Sequence, residues 1–175
     1  MNSINWLSLF LTIDTKCSHI RIGETMNITF KKVHPDAITP SYATSGASGF
    51  DFVAIEDVTL EAGDTKLIRT GLSMSVPSGY ELQIRPRSGL SLKTKLRIAN
   101  SIGTVDSDFR GEIQVLMWHS GTRSWHDGND APIIIRKGDR IAQGVICPVI
   151  HVFFHEANSL DETGRGTGGW GSTGK

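Results

Sequence analysis

Three stretches of this chain carry residue types that could do chemistry together. The richest is Gly164-Arg165-Gly166-Thr167-Gly168-Gly169-Trp170-Gly171-Ser172-Thr173-Gly174. More than half of it is glycine, whose backbone can approach a ligand closely and turn through positive φ. Successive peptide N–H groups in such turns form anion-binding concavities, and Arg165, Ser172 and Thr173 add donors suited to phosphate oxygens. The Trp170 ring offers a flat face for a base. A flexible linker or frayed terminus is the competing reading. A plain spacer, however, has no use for the arginine, the indole and the paired hydroxyls.

The second stretch is Arg85-Pro86-Arg87-Ser88-Gly89-Leu90-Ser91-Leu92-Lys93. It leaves a strand and places Ser88 where an N-cap would precede a short helical turn. Free N–H groups at a helix start attract anions, and the Arg87 guanidinium strengthens the attraction. Such a turn is also common as plain structure. The third stretch runs from Ala99 to Glu112 and reads as a β-hairpin arm with Gly103 and Gly111 at bends. The segment carries two carboxylates, Asp106 and Asp108, which are not expected to act on the same atom. One faces a pocket while the other is solvated or pairs with Arg110. A strand-end aspartate also serves as an ordinary turn former.

The elements that must position these groups are strands. From Met26 onward, short Val, Ile, Leu and Phe segments alternate with Gly, Pro, Asp and Ser clusters. Period-2 alternation shows in Tyr80–Arg85 and in Glu112–Met117. The apolar runs Pro132–Ile135 and Val145–Phe154 read as strands buried on both faces. A single short helix follows Arg87. The expectation is an all-β, jelly-roll-like barrel.

The chain has 175 residues, enough for one well-buried core. Its 18 basic and 18 acidic residues cancel, which excludes an electrostatic footprint for nucleic acid or anionic membrane. Cys17 and Cys147 lie far apart, as suits reduced thiols in the cytoplasm. Nothing approaches a membrane span, and Trp6–Leu11 lacks the flanks of a signal peptide. Residues 1–25 read as an extension or a start-site artefact ahead of Met26, residues 26–163 as the β domain, and residues 164–175 as a glycine-rich lid.

These residues resemble the trimeric deoxyuridine triphosphatase (dUTPase) family over roughly residues 27–174. Ser48-Gly49-Phe50-Asp51-Phe52-Val53-Ala54 is similar to the first of its five ordered motifs, and Pro86-Arg87-Ser88-Gly89-Leu90 to the second. Asn100 with Gly103 through Gly111 resembles the third, Arg140-Ile141-Ala142-Gln143 the fourth, and Arg165 to Gly174 the fifth.

The resemblance implies a homotrimer with active sites shared between subunits, and Mg²⁺ held mainly by triphosphate and water. Asp51 is the candidate for the outer shell of that ion, with no direct protein ligand. The implied reaction is hydrolysis of dUTP to dUMP and pyrophosphate, with Asp106 as the base that activates water and Asp108 ranked second. Arg87, Ser88 and Gly89 are expected to hold α- and β-phosphate oxygens, Gln143 to add an amide donor, and Arg165, Ser172 and Thr173 to reach the γ-phosphate. Asn100 and the backbone of Gly103, Thr104 and Val105 are expected to pair with uracil. Phe109, standing where the family has tyrosine, is expected to stack on deoxyribose. Trp170, flanked by Gly169 and Gly171, is expected to cap the base, and Gln114 is a further expected contact.

Two other readings stand beside this one. A dCTP deaminase of the same fold would use Glu112 on the cytosine amino group. A nucleotide-switched regulatory protein would bind a partner through the polar segment His119–Pro132, which otherwise is a plain surface loop.

Overall fold

The computed structural model describes residues 25–124 and 128–172. The expectations for residues 1–24 and for Thr173 lie outside the described residues. The elements in chain order are β1 (Thr29–Lys32), β2 (Phe50–Val53), β3 (Val58–Leu60), β4 (Thr65–Ser75), β5 (Tyr80–Arg85), α1 (Ser88–Lys93), β6 (Leu96–Ile98), β7 (Gly103–Val105), β8 (Ile113–His119), β9 (Arg123–Ser124), β10 (Gly128–Asn129), β11 (Ile133–Ile135) and β12 (Arg140–Pro148).

Two four-stranded antiparallel sheets, ordered β1-β4-β8-β6 and β2-β12-β5-β7, carry the fold. The alternation legible in the sequence decides which side of each sheet is inside. In β5, Leu82 and Ile84 are buried while Glu81, Gln83 and Arg85 are not. In β8, Ile113, Val115 and Met117 are buried while Gln114, Leu116 and Trp118 face outward. The inner faces close over a core that joins Phe52 of β2, Ile68 and Leu72 of β4, Leu82, Leu96, Val115 and Ile141. This is the expected all-β, jelly-roll-like arrangement, with one short helix among the described residues.

Two apolar runs differ from expectation. In β11 only Ile135 is fully buried and Ile134 is 45% exposed, because this strand pairs with β3 alone in a two-stranded sheet at the periphery. The Val145–Phe154 run splits at Pro148, where β12 ends. Proline offers no N–H to a ladder, and beyond it Ile150, Phe153 and Phe154 are 86%, 92% and 93% exposed.

The His119–Pro132 segment is a small hairpin of β9 against β10 with a well-fastened root. Buried His119 accepts the Gly121 N–H on Nδ1 at 3.0 Å, so its proton sits on Nε2 and is donated to the Ala131 carbonyl at 3.1 Å. Asp130 accepts from Lys95 Nζ at 2.6 Å and from the Thr122 N–H at 2.9 Å. The Lys95 bond first, then the Thr122 N–H, holds the Asp130 carboxyl below the usual carboxylate range.

Candidate active site

The second motif begins where β5 must stop. Pro86 cannot continue the ladder, and α1 starts at Ser88. The capping position belongs to Arg87, in extended conformation at φ −95 and ψ 125 with no side-chain cap, and not to Ser88 as the sequence suggests. Extended backbone is what a residue flanking a helix start adopts, so Ser88 falls just inside the helix instead of just before it. The change matters chemically: the exposed Ser88 hydroxyl is not committed to capping, and the opening N–H groups of the turn have no helical partner.

The first and fourth motifs hold this turn from the neighbouring strands. Asp51 on β2 stands opposite Gln143 on β12, which stands opposite Arg85 on β5, so the first and fourth motifs share one row of the sheet with the residue just before the second. Asp51 is only 17% exposed; its Oδ1 lies 2.8 Å from Arg87 Nε, and its Oδ2 accepts from Arg140 Nη1 at 3.1 Å. Arg87 Nη1 also donates to the Arg140 carbonyl at 3.1 Å. Gln143 Nε2 donates to the Pro86 carbonyl at 2.9 Å, so its amide already fastens the turn.

The close approach has a steric condition. A side chain at Gly49 would come within 2.7 Å of Gln143 Oε1, and one at Gly144 within 2.6 Å of the Phe50 ring. Neither the partnership of Asp51 with two arginines nor the part of Arg140 was read from the sequence. The residues involved lie up to 89 positions apart.

The third motif is not a hairpin arm. Its strand, β7, pairs with β5 through Gly103↔Ile84 and Val105↔Leu82, while the following strand, β8, belongs to the other sheet. After Val105 the chain turns, with the Phe109 N–H bonded to the Asp106 carbonyl at 3.2 Å. Asp106 therefore opens a turn, and strand alternation does not govern its relation to Asp108. Both are exposed at the surface of that turn. Arg110 pairs with neither; its Nη1 donates to the Ser107 and Phe109 carbonyls at 2.7 and 2.8 Å. The 44% exposed Phe109 ring lies against Gly111, where an added Cβ would meet it at 2.6 Å. Asn100 lies beside Gly103, its Nδ2 3.3 Å from where a Cβ would stand there. Exposed Thr104 and half-buried Val105 complete the ledge.

Within one copy these parts do not meet. Asp106 follows the pair Val105↔Leu82, which places it level with the start of β5, whereas Arg87 and Ser88 follow its end. The two levels are separated by most of the length of β5, roughly 13 Å at ~3.3 Å per residue. Gln114 faces outward on the other sheet, opposite Arg69.

The tail is equally separate. It folds on itself in turns, with Gly166 N–H to Thr163 O at 3.0 Å and Ser172 N–H to Gly169 O at 2.9 Å. Arg165 Nε donates to the Gly168 carbonyl at 2.9 Å, Trp170 is fully exposed, and Gly169, Gly171 and Ser172 are exposed beside it.

One expectation can be weighed on this geometry. Glu112 accepts from Arg69 Nε at 3.1 and 3.2 Å and from the Gly71 N–H at 2.8 Å, where β4 bulges. A carboxylate so occupied is tied to the strand and poorly placed to act on a cytosine amino group. Among the described residues no group of three His, Cys, Asp or Glu could cage a metal.

A jelly-roll-like β domain with a braced, arginine-bearing turn and a glycine-rich tail has the fold and motif order of the dUTPase class of nucleotide hydrolases. The dUTPase family model matches residues 36–174, a span containing all five motifs, and the chain belongs to the dUTPase family. The deoxyuridine 5′-triphosphate nucleotidohydrolase of Wolinella succinogenes is 47% identical over 150 residues, covering 86% of this chain and 95% of that protein. That of Helicobacter pylori strain P12 is 45% identical over 149 residues, with 85% and 97% covered. Among solved structures, the Staphylococcus bacteriophage 80alpha dUTPase with dUPNHPP is similar at a TM-score of 0.76 and 26% identity, covering 86% of this chain and 100% of that one.

Proposed function

We propose that the chain hydrolyses dUTP to dUMP and pyrophosphate in the cytoplasm. The observation that carries this reading is the similarity to named deoxyuridine 5′-triphosphate nucleotidohydrolases across nearly their whole length.

The residues supply the parts the reaction needs. Arg87, Ser88 and Gly89 hold the α- and β-phosphate oxygens on a turn that is fixed before substrate arrives, so little reorganisation accompanies the charge that develops. Asp106, at the head of a surface turn, takes the proton of the water that attacks the α-phosphate. Uracil pairs with Asn100 and the backbone from Gly103 to Val105. Cytosine reverses a donor and an acceptor there and leaves buried groups unpaired, which is a strong basis for rejection. Phe109 covers the sugar. Arg165, Ser172 and Thr173 engage the γ-phosphate while Trp170 caps the base. Mg²⁺, when bound, neutralises triphosphate charge.

Because Asp106 and Arg87 sit at opposite ends of β5, a complete site takes Asp106 from one copy and the turn from another. A homotrimer meets this need with closed symmetry. The exposed Ile150, Phe153 and Phe154 also call for cover. An apolar groove of about 760 Å³, lined by Met26, Ile28, Phe30, Tyr42, Phe50 and Tyr80 among others, offers it on a neighbouring copy.

Purified protein with Mg²⁺ is expected to release pyrophosphate from dUTP and to leave dCTP, dTTP and UTP nearly untouched. Asp106→Asn is expected to bind dUTP yet turn it over about 10² times more slowly or worse. Ammonia release from dCTP would decide for the deaminase, and full activity in Asp106→Asn with loss in Asp108→Asn would transfer the base to Asp108.

A further inference from the structure

We infer that Glu112 and Ser73 are positioning residues that hold the turn bearing Asp106, by clamping its far end to a bulge in β4. The kinetic part of the inference rests on the dUTP-hydrolase reading above; the structural part does not. β4 pairs with β8 from Thr65↔Trp118 to Arg69↔Gln114 and then slips, so that Leu72 faces Ile113 and Thr70 and Gly71 are left over. The buried Thr70 hydroxyl donates to the Ile113 carbonyl at 2.6 Å and accepts the Leu72 N–H at 3.3 Å, which closes the gap in the ladder. Gly71 has φ +68, and a Cβ there would lie 2.9 Å from those of His34 and Ala37, so conformation and space both call for glycine.

The bulge supplies a backbone donor that the ladder does not use. The Gly71 N–H is donated to Glu112 Oε1 at 2.8 Å, and Arg69 Nε donates to the two oxygens of the same carboxylate at 3.2 and 3.1 Å. Ser73 Oγ donates to the Arg110 carbonyl at 2.7 Å, so the chain is clamped to β4 on both sides of Gly111. From this clamp the Arg110 guanidinium reaches back to the Ser107 and Phe109 carbonyls, and the Phe109 N–H to the Asp106 carbonyl at 3.2 Å. The near end of the turn is held by the other sheet, through Val105↔Leu82. Asp106 is exposed, so its carboxylate takes its place from the backbone strung between these two holds. The expected uracil ledge, Gly103 to Val105, is paired with β5 and lies outside the clamp.

Release of the clamp should therefore misplace Asp106 and spare the ledge. For Glu112→Ala, kcat on dUTP is expected to fall about 10²-fold, the scale of a ~1 Å misplacement. KM for dUTP and the calorimetric Kd of dUMP should both change less than about threefold. Ser73→Ala, which removes one bond of the clamp, should lower kcat about tenfold with the same constancy of dUMP binding. Glu112→Gln keeps an acceptor for the Gly71 N–H and should recover at least about tenfold in kcat over Glu112→Ala. In both alanine variants the Phe109 amide should exchange with solvent at least about tenfold faster, while β5 amides and sedimentation match the parent.

A Glu112→Ala protein with kcat within threefold of the parent, or with an unmoved Phe109 amide, overturns the inference. Loss of dUMP affinity in step with kcat also overturns it, since the ledge would then depend on the clamp. Failure of Glu112→Gln to recover any activity would show that the charge, and not the fastening, is what matters. If Glu112→Ala does not fold, Ser73→Ala is judged by the same limits. Parent protein inactive on dUTP would count against the proposed reaction, while the exchange comparison would still judge the clamp.

Discussion

The turn that carries Arg87 and the tail that carries Arg165 both present an arginine, a hydroxyl and glycines, yet they stand at opposite mechanical extremes. Arg87 is fixed by a carboxylate, a backbone carbonyl and a turn that Gln143 fastens from the next strand. Among the described residues the Arg165 side chain is bonded only to the carbonyl of Gly168, and the segment from Thr163 to Ser172 makes its hydrogen bonds within itself. The same chemical kit therefore serves two purposes. On the sheet it is set in advance, which favours transition-state charge. In the tail, under the proposed reaction, it would have to be brought to the ligand, with the conformational entropy of its glycines opposing closure and a bound triphosphate offering the charge and hydrogen-bond acceptors to offset it.

The comparison can be broken first at the tail. Deleting residues 164–175 should remove most dUTP turnover while leaving the β domain folded and its assembly, measured by sedimentation, unchanged. Trp170 gives a parallel readout: a non-hydrolysable dUTP analogue should alter tryptophan fluorescence in the parent and much less in Trp170→Phe, and dUMP should do little in either. A truncated protein that turns over dUTP at the parental rate would make the tail a linker.

Next in size is a change in the wall behind the braced turn. Gly144→Ala drives a methyl group into the Phe50 and Phe52 rings at 2.6 and 2.7 Å, contacts that buried aromatic rings cannot relieve by a small swing. Overpacking of this kind costs about 1–3 kcal/mol, so chemical denaturation should show that loss. Substitution of Gly169, beside which a Cβ meets nothing within 4 Å, should leave stability unchanged. An equal loss at both positions would erase the mechanical contrast.

The smallest effect tests a third level of fastening, at the hairpin root. Asp130 is held below the ordinary Asp value, first by Lys95 and then by the Thr122 N–H. A depressed carboxyl contributes stability above its unfolded pKa, about 3.9, and loses that contribution as pH falls through the folded value. NMR titration of Asp130 in Lys95→Met should move toward the ordinary value, and protection of the Thr122 amide should fade at a higher pH than in the parent. An unmoved titration would show that the ammonium is not the cause.

Local patterns made much of this molecule legible. Alternation in Tyr80–Arg85 and Glu112–Met117 marked β5 and most of β8, because which face is buried is written residue by residue. Partners were not legible in the same way. The Ala99–Glu112 segment looked like a hairpin since its turn residues are local, but β7 pairs with β5, which lies on the far side of α1 and β6 in the chain, and only tertiary structure decides that. The Val145–Phe154 run is apolar for most of its length, yet hydrophobicity alone cannot say whether a partner strand exists past Pro148. The motifs pointed to Arg87, Ser88 and Asp106 as residues of chemistry-bearing types. The brace from Asp51 and Arg140 was hidden because it arises from the register of β2 against β12, and nothing in either segment read alone reports it.

The fastening of the hairpin root separates what is framework from what can be exchanged. His119 and Ala131, with Lys95, Asp130 and Thr122, tie the two ends of the segment together below its strands. These contacts hold the end of β8 beside the residues that lead into β11. Sequence drift can lengthen, shorten or replace the residues between those ties without reaching the sheet that bears the arginine turn. The molecule carries a socket for evolutionary or engineered cargo on a body whose arginine turn is braced elsewhere.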